Sequence, residues 1–256
     1  MFDSPYEWRK FCRYLREQNR FVLNDKWKKF IETVLLTAEK RKNVVKKGVT
    51  LYRARIGSED MLSTDWLALD RPLPAKEMGA PPKDKTIEGR INPRGIPYLY
   101  LANDIKTAIS EIRPWLGQFI TVGSFGLQKD LFVVDASKDL FKGTIILKKE
   151  EQVPSTRWEP HIWGSINQSF SIPVRVGEEH KYYTPTQYLS ECFKNAGYDG
   201  IIYKSSLTEE GYNFALFDSQ VAQPFIGQLY NVRSIKYDCQ EFMRPRVYNE
   251  EEGVGK

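Results

Sequence analysis

Apolar residues near the start of the chain recur at helical spacing. Trp8, Phe11, Cys12 and Leu15 form one stripe. Ser4-Pro5-Tyr6-Glu7 just before it reads as a capping box, with Ser4 as cap and Pro5 in the first turn. A second stripe, Trp27, Phe30, Ile31, Val34, Leu35 and Ala38, follows a start near Asn24 or Asp25, and its opposite face is basic. The two helices predict a hairpin over residues 4–43. It is too small to stand alone, so it should pack on the main domain or on a second subunit.

From residue 49 the period changes. Val49-Thr50-Leu51-Tyr52-Arg53-Ala54 and Tyr98-Leu99-Tyr100-Leu101-Ala102 read as strands, with Tyr98 and Tyr100 expected on opposite faces, so that one of them points inward. Four prolines make residues 71–82 an extended loop. Asn103 or Asp104 caps a helix that Pro114 stops. Strands are predicted over 119–125, 131–134, 143–147, 200–203, 214–217 and 232–237, with 153–171 irregular or helical. Thr184-Pro185-Thr186-Gln187 reads as the cap of a helix that Gly197 ends. The tail, residues 249–256, is acidic and reads as disordered. Strands outnumber helices and do not alternate with them, which predicts α+β rather than a doubly wound sheet.

A chain of 256 residues can bury a core without staples. No apolar run approaches the roughly 20 residues of a membrane helix, and no signal peptide opens the chain, so a cytoplasmic location is expected. Three scattered cysteines and two histidines argue against a disulfide framework or a zinc site. Much of the net charge of +5 lies in the run from Lys26 to Lys47, which reads as a solvated helix face more readily than as a nucleic-acid reader. No Gly-x-Gly-x-x-Gly turn follows a strand and no Walker-type loop is present.

The candidate chemistry lies mostly between Arg53 and Glu111. An arginine fork suits a phosphate, and Arg53 on its strand and Arg90 between Gly89 and Asn92 are the candidates. Glu111 falls at the core boundary of the helix beginning at Asp104, where a carboxylate could stabilise a cationic transition state. An inward Tyr100 could stack on a ring or hydrogen-bond a ribose. Together these suggest a phosphate-bearing glycoside such as a nicotinamide dinucleotide. Ser205 and Ser206 end a strand and read equally well as turn residues.

These segments resemble the RES domain family. The resemblance rests on Leu51-Tyr52-Arg53-Ala54-Arg55, Gly89-Arg90-x-Asn92-x-x-Gly95, Leu99-Tyr100-Leu101-Ala102, Ala108-x-x-Glu111 and Gly200-Ile201-Ile202-Tyr203-x-Ser205, with Asn213 and Leu216-Phe217 after them. It spans about residues 49–218. It implies an ADP-ribosyltransferase-like α+β fold, a mixed β-sheet core with flanking helices, here preceded by the helical hairpin. It also implies an enzyme, in many members a toxin of a toxin–antitoxin pair, that consumes NAD by hydrolysis or phosphorolysis. By position, Arg90, Glu111 and Ser205 match the family's named residues, with Ser206 as the competing serine. Arg53 and Tyr100 match supporting NAD contacts.

The expected organisation is a helical extension over 1–47, an NAD-binding catalytic domain over 48–238 and a tail over 239–256. NAD enters as substrate, and neither a cofactor nor a metal is expected. Expected partners are NAD, inorganic phosphate or a target protein as acceptor, a helix-turn-helix antitoxin and a second copy of the chain, with no membrane and nucleic acid disfavoured. Protein ADP-ribosylation and a non-catalytic NAD or ADP-ribose module stay open as alternatives. The hairpin, the proline-rich stretch and an insertion over about 143–181 depart from the compact form of the family.

Overall fold

In the computed structural model of the chain, which describes residues 1–59, 70–139, 154–172, 179–236 and 239, the strand-like runs join one mixed sheet. In chain order the elements are α1 (Glu7–Glu17), α2 (Asp25–Ala38), β1 (Lys42–Val45), β2 (Thr50–Ile56), α3 (Ala75–Met78), β3 (Leu99–Ala102), α4 (Ile105–Glu111), β4 (Phe119–Leu127), β5 (Leu131–Asp135), α5 (Trp158–Ser171), α6 (Glu179–Asn195), β6 (Gly200–Lys204), β7 (Tyr212–Leu216) and β8 (Ala222–Asn231). The sheet order is β1-β5-β6-β7-β3-β2-β4-β8. Among the described strands only the β5–β6 pairing is parallel, and the chain between them carries α5 and α6. The expected α+β sheet with flanking helices and a helical hairpin is what the chain adopts.

The hairpin is built into the core. Trp8, Phe11, Trp27 and Phe30 are buried with Trp163, Phe170, Leu189 and Phe193 of α5 and α6, and with Ile201 and Ala215 of the sheet. The Trp8 indole donates to Ser169 Oγ at 2.8 Å, and the Trp163 indole to Thr37 Oγ1 at 3.0 Å. Burying each such side chain contributes on the order of 1.5–3 kcal/mol. A second cluster, with Leu51, Met78, Leu99, Phe125 and Leu216, covers another part of the sheet, and a third lies under α4 with Ala54, Ala102, Ala108, Ile120 and Val122.

Several local expectations hold. Asn24 Oδ1 accepts from the Trp27 N–H, and Asp104 Oδ1 from the Thr107 N–H, so both helices start where their caps predict. Gly197, at φ +88°, closes α6: its N–H reaches the Lys194 carbonyl and the Tyr198 N–H reaches Phe193.

Others are corrected. α1 starts at Glu7, and the Glu7 carboxylate accepts from the Asp3 N–H instead of closing a box with Ser4. Residues 71–82 are not all extended, because Ala75–Met78 form a helical turn that drives Met78 into the core. Of the two readings of 153–171, irregular or helical, the helical one holds, as α5. α6 begins ahead of Pro185 and runs through it. The last strand is Ala222–Asn231, and residues 232–236 are not strand. Tyr98 and Tyr100 both turn to the same core, since positions two apart share a strand face. The expected strand at 143–147 and the tail at 249–256 lie outside the described residues. No described helix is long and apolar enough to cross a membrane.

Candidate functional site

β2 pairs with β4 along its whole length, Thr50 to Ile56, but with β3 only at Tyr52 and Ala102. Beyond that pair the two central strands part. A cleft of about 400 Å³ opens there, lined by Arg53, Arg90, Tyr100, Glu111, Tyr183, Tyr203 and Asn213 among others. The sheet thus creates the site by leaving a ladder incomplete.

Glu111 enters from the end of α4. Thr107 and Ala108 of the same helix are buried, which fixes the rotation of the helix and leaves Glu111 half-buried at the cleft. Its Oε1 accepts from Ser205 Oγ at 2.8 Å and from Asn213 Nδ2 at 2.6 Å. No described residue donates to Oε2. Ser205 and Asn213 are themselves buried, on or next to neighbouring strands, so the carboxylate is held by groups that cannot swing away. Ser206 is turned elsewhere and donates to the Ser171 carbonyl at 3.1 Å. Geometry therefore brings Ser205, and not Ser206, to Glu111.

Arg53 bridges the split. Its Nη1 donates to the Tyr100 carbonyl at 2.9 Å, while its Nε is buried without a partner. Burial, with the neighbouring Arg55 charge, pushes its pKa down to about 10. Arg90 donates through Nη1 to the carbonyls of Phe170 and Ser171, at 2.6 and 2.9 Å, and its Nε is also buried and unpartnered. Those carbonyls are at the C-terminus of α5, where a cation is favoured. Among the described residues neither arginine forms an ion pair. Two half-buried guanidinium groups, each with a buried Nε left unpartnered, offer donors for an anion.

The Arg90 loop is pinned from several sides. Tyr100 Oη donates to Asn92 Oδ1 at 2.8 Å and accepts from the N–H groups of Ile91 and Asn92, both at 3.2 Å. Burial pushes the Tyr100 pKa up to about 12, with the two N–H groups and both arginines opposing, so the phenol stays neutral. Its hydroxyl is committed to the loop, and it is the rest of Tyr100 that is left to line the cleft. From α6, Thr186 Oγ1 donates to the Arg90 carbonyl at 2.5 Å, and Gln187 Nε2 to the Gly89 carbonyl at 2.8 Å. Gly89 is required here: a Cβ would overlap Asn92 Oδ1 and lie 2.9 Å from the Tyr100 hydroxyl.

Several contributors escaped the sequence reading. Asn213 was visible only as part of the resemblance. Tyr203 was visible as a strand residue inside a motif of the resemblance but not as a site residue, yet it lines the cleft, and burial pushes its pKa up against the opposing Arg90 charge. Thr186 and Gln187 read as a helix start and serve instead to hold the Arg90 loop. α5, in the insertion, clamps Arg90 and also ties down the end of β6: Asn167 Oδ1 accepts from the Lys204 N–H at 3.0 Å, and Ser171 Oγ donates to the Lys204 carbonyl at 2.6 Å. Only fold-level contacts far apart in sequence could have revealed these. Among the described residues no group of three or more His, Cys, Asp or Glu is placed to hold a metal.

A comparison with curated proteins found no match. Among solved structures, a chain of the M. tuberculosis MbcT–MbcA toxin–antitoxin complex is similar at 14% identity and a TM-score of 0.42, covering 79% of this chain and 93% of that one. That likeness is too slight to transfer residues. The family model of the RES domain matches residues 50–230, a span that contains Arg53, Arg90, Tyr100, Glu111, Ser205 and Asn213. By that match the chain belongs to the RES domain family.

Proposed function

We propose that this protein cleaves the bond between nicotinamide and ribose in NAD, as a glycohydrolase or a phosphorylase. The observation that carries the reading is Glu111 held through Oε1 by Ser205 and Asn213 in a cleft with two unpaired arginines. The nicotinamide leaves with the bonding electron pair, and the ribose becomes oxocarbenium-like, as in glycoside hydrolysis. Oε2 of Glu111 accepts from the ribose hydroxyl next to the reacting carbon and stabilises the developing cation. Ser205 and Asn213 fix the carboxylate for that task. Arg53 and Arg90 hold the pyrophosphate through their vacant N–H groups. Tyr100 packs against the nicotinamide riboside while its hydroxyl holds the Arg90 loop.

Attack by water yields ADP-ribose and releases one proton. Attack by phosphate yields the 1-phosphate of ADP-ribose. In this reading residues 48–238 form the catalytic domain, the extension 1–47 supports its core, and residues 239–256 make a tail. Membership in a family with many toxins supports a toxin role, restrained by a helix-turn-helix antitoxin.

The test is incubation of the purified protein with NAD, with and without phosphate, followed by product masses. Free nicotinamide with ADP-ribose, or with its 1-phosphate when phosphate is present, is expected. NAD that remains intact would overturn the reading. ADP-ribose bound covalently to protein would replace it with protein ADP-ribosylation.

A further inference from the structure

Arg55 lies two positions beyond Arg53 on β2, so the two side chains leave the same face of the strand. Beneath them a second groove of about 740 Å³ runs along the proline-rich segment. Arg53, Ala54 and Ile112 line both this groove and the glutamate cleft, so the two spaces adjoin at Arg53. The cleft alone, at about 400 Å³, is at the small end of the roughly 300–1,000 Å³ range of ligand pockets. A dinucleotide that places its nicotinamide riboside at Glu111 needs somewhere to put its other half.

The groove has the chemistry for that half. Arg55 donates through Nη2 to the Gly79 carbonyl at 2.7 Å, and its Nε is buried with no partner. Among the described residues it forms no ion pair. Glu77 lines the same groove and is exposed, and its charge acts on Arg55 only from a distance. Lys76 adds a third cation at the rim. Burial first, and then the Arg55 charge, push the Arg53 pKa down. Two neighbouring guanidinium groups, each with a buried vacant N–H, are matched by a single phosphoryl group between them. The remaining wall is apolar: Leu73, Pro81 and Pro82 offer a surface for a flat base.

We infer that the groove between β2 and the proline-rich segment is the adenylate subsite, with the adenosine-side phosphate between Arg53 and Arg55 and the purine against Leu73, Pro81 and Pro82. This rests on the dinucleotide reading of the cleft. Arg53, at the junction, touches both halves of the substrate, whereas Arg55 touches only the adenylate half.

Calorimetry on the full chain tests it with AMP, nicotinamide mononucleotide and inorganic phosphate as separate probes. AMP binding should weaken about tenfold in Arg55→Gln and by less in Arg55→Lys, which keeps the charge. Nicotinamide mononucleotide should bind both variants as it binds the native protein, which also shows that they fold. If AMP binds Arg55→Gln as tightly as the native chain while the mononucleotide binds normally, the subsite is overturned. An Arg55-dependent site that takes inorganic phosphate but not AMP also overturns it, in favour of a free-anion site. Arg55-dependent AMP binding without any mononucleotide binding would keep the groove and remove the assignment of the cleft. Binding of none of the probes overturns the inference.

Discussion

Arg53 sits at the junction of the two spaces with Nε buried and unpartnered, and its pKa is pushed down to about 10 by burial and by Arg55. The unfolded chain holds that proton more tightly than the folded one. Stability is therefore lowered at every pH below the folded value and recovers only as pH rises above it. Arg53→Met removes the half-buried charge and also the charge-assisted bond to the Tyr100 carbonyl, which is worth about 1.5–3 kcal/mol. The expected outcome is a free-protein stability within about 1 kcal/mol of native, because buried ions replaced by apolar groups are often neutral. NAD affinity should fall at least tenfold by calorimetry. A variant that melts far below the native protein yet binds NAD normally would show that Arg53 is structural. The neighbouring serines are separable too. Ser205→Ala removes one of two donors to Glu111 and should lower turnover about tenfold, while Ser206→Ala should change it less than twofold. Equal losses in both would contradict the assignment of Ser205.

At the scale of elements, the legible parts were those with local causes. The caps Asn24 and Asp104, the Gly197 stop and the alternating strands all declare themselves within a few residues. α6 does not, because a proline inside a helix costs about 3 kcal/mol on local grounds. Burial of Leu189 and Phe193 outweighs that cost. β8 was hidden by Pro224 and Gly227. It is an edge strand whose register shifts at Ser124/Phe125, where Phe225 is passed over and Pro224 is tolerated. The Arg90 loop is held by α6 and β3 together, and Gly89 is its tightest point. Gly89→Ala should push the Asn92 amide off the Tyr100 hydroxyl and cost about 1–3 kcal/mol, with a weaker NAD affinity. Chemical denaturation with parallel calorimetry measures both. A native midpoint and affinity would mean that the loop yields without loss.

Across the whole molecule, the site depends on parts outside the motif segments that carry the family resemblance. The hairpin aromatics, the insertion helix α5 and α6 form one cluster, and that cluster holds the carbonyls that seat Arg90 and the strand end that carries Ser205. The identities of Arg53, Arg90, Glu111 and Ser205 were legible as motif residues. Their arrangement was not, since Glu111 meets Ser205 across 94 positions and Arg90 meets Phe170 across 80. Spacing along a chain carries no signal for contacts of that kind.

The central claim is that the Glu111 carboxylate lowers the barrier to nicotinamide release. Its direct test is single-turnover nicotinamide release from NAD by the native protein and by Glu111→Gln, with NAD affinity measured on the same samples. Glutamine keeps the shape of the side chain and loses the charge. The account predicts a barrier higher by about 2.7–4 kcal/mol, a 10²–10³-fold slower release, with NAD affinity nearly unchanged. Release at the native rate by a Glu111→Gln protein that binds NAD normally would contradict it.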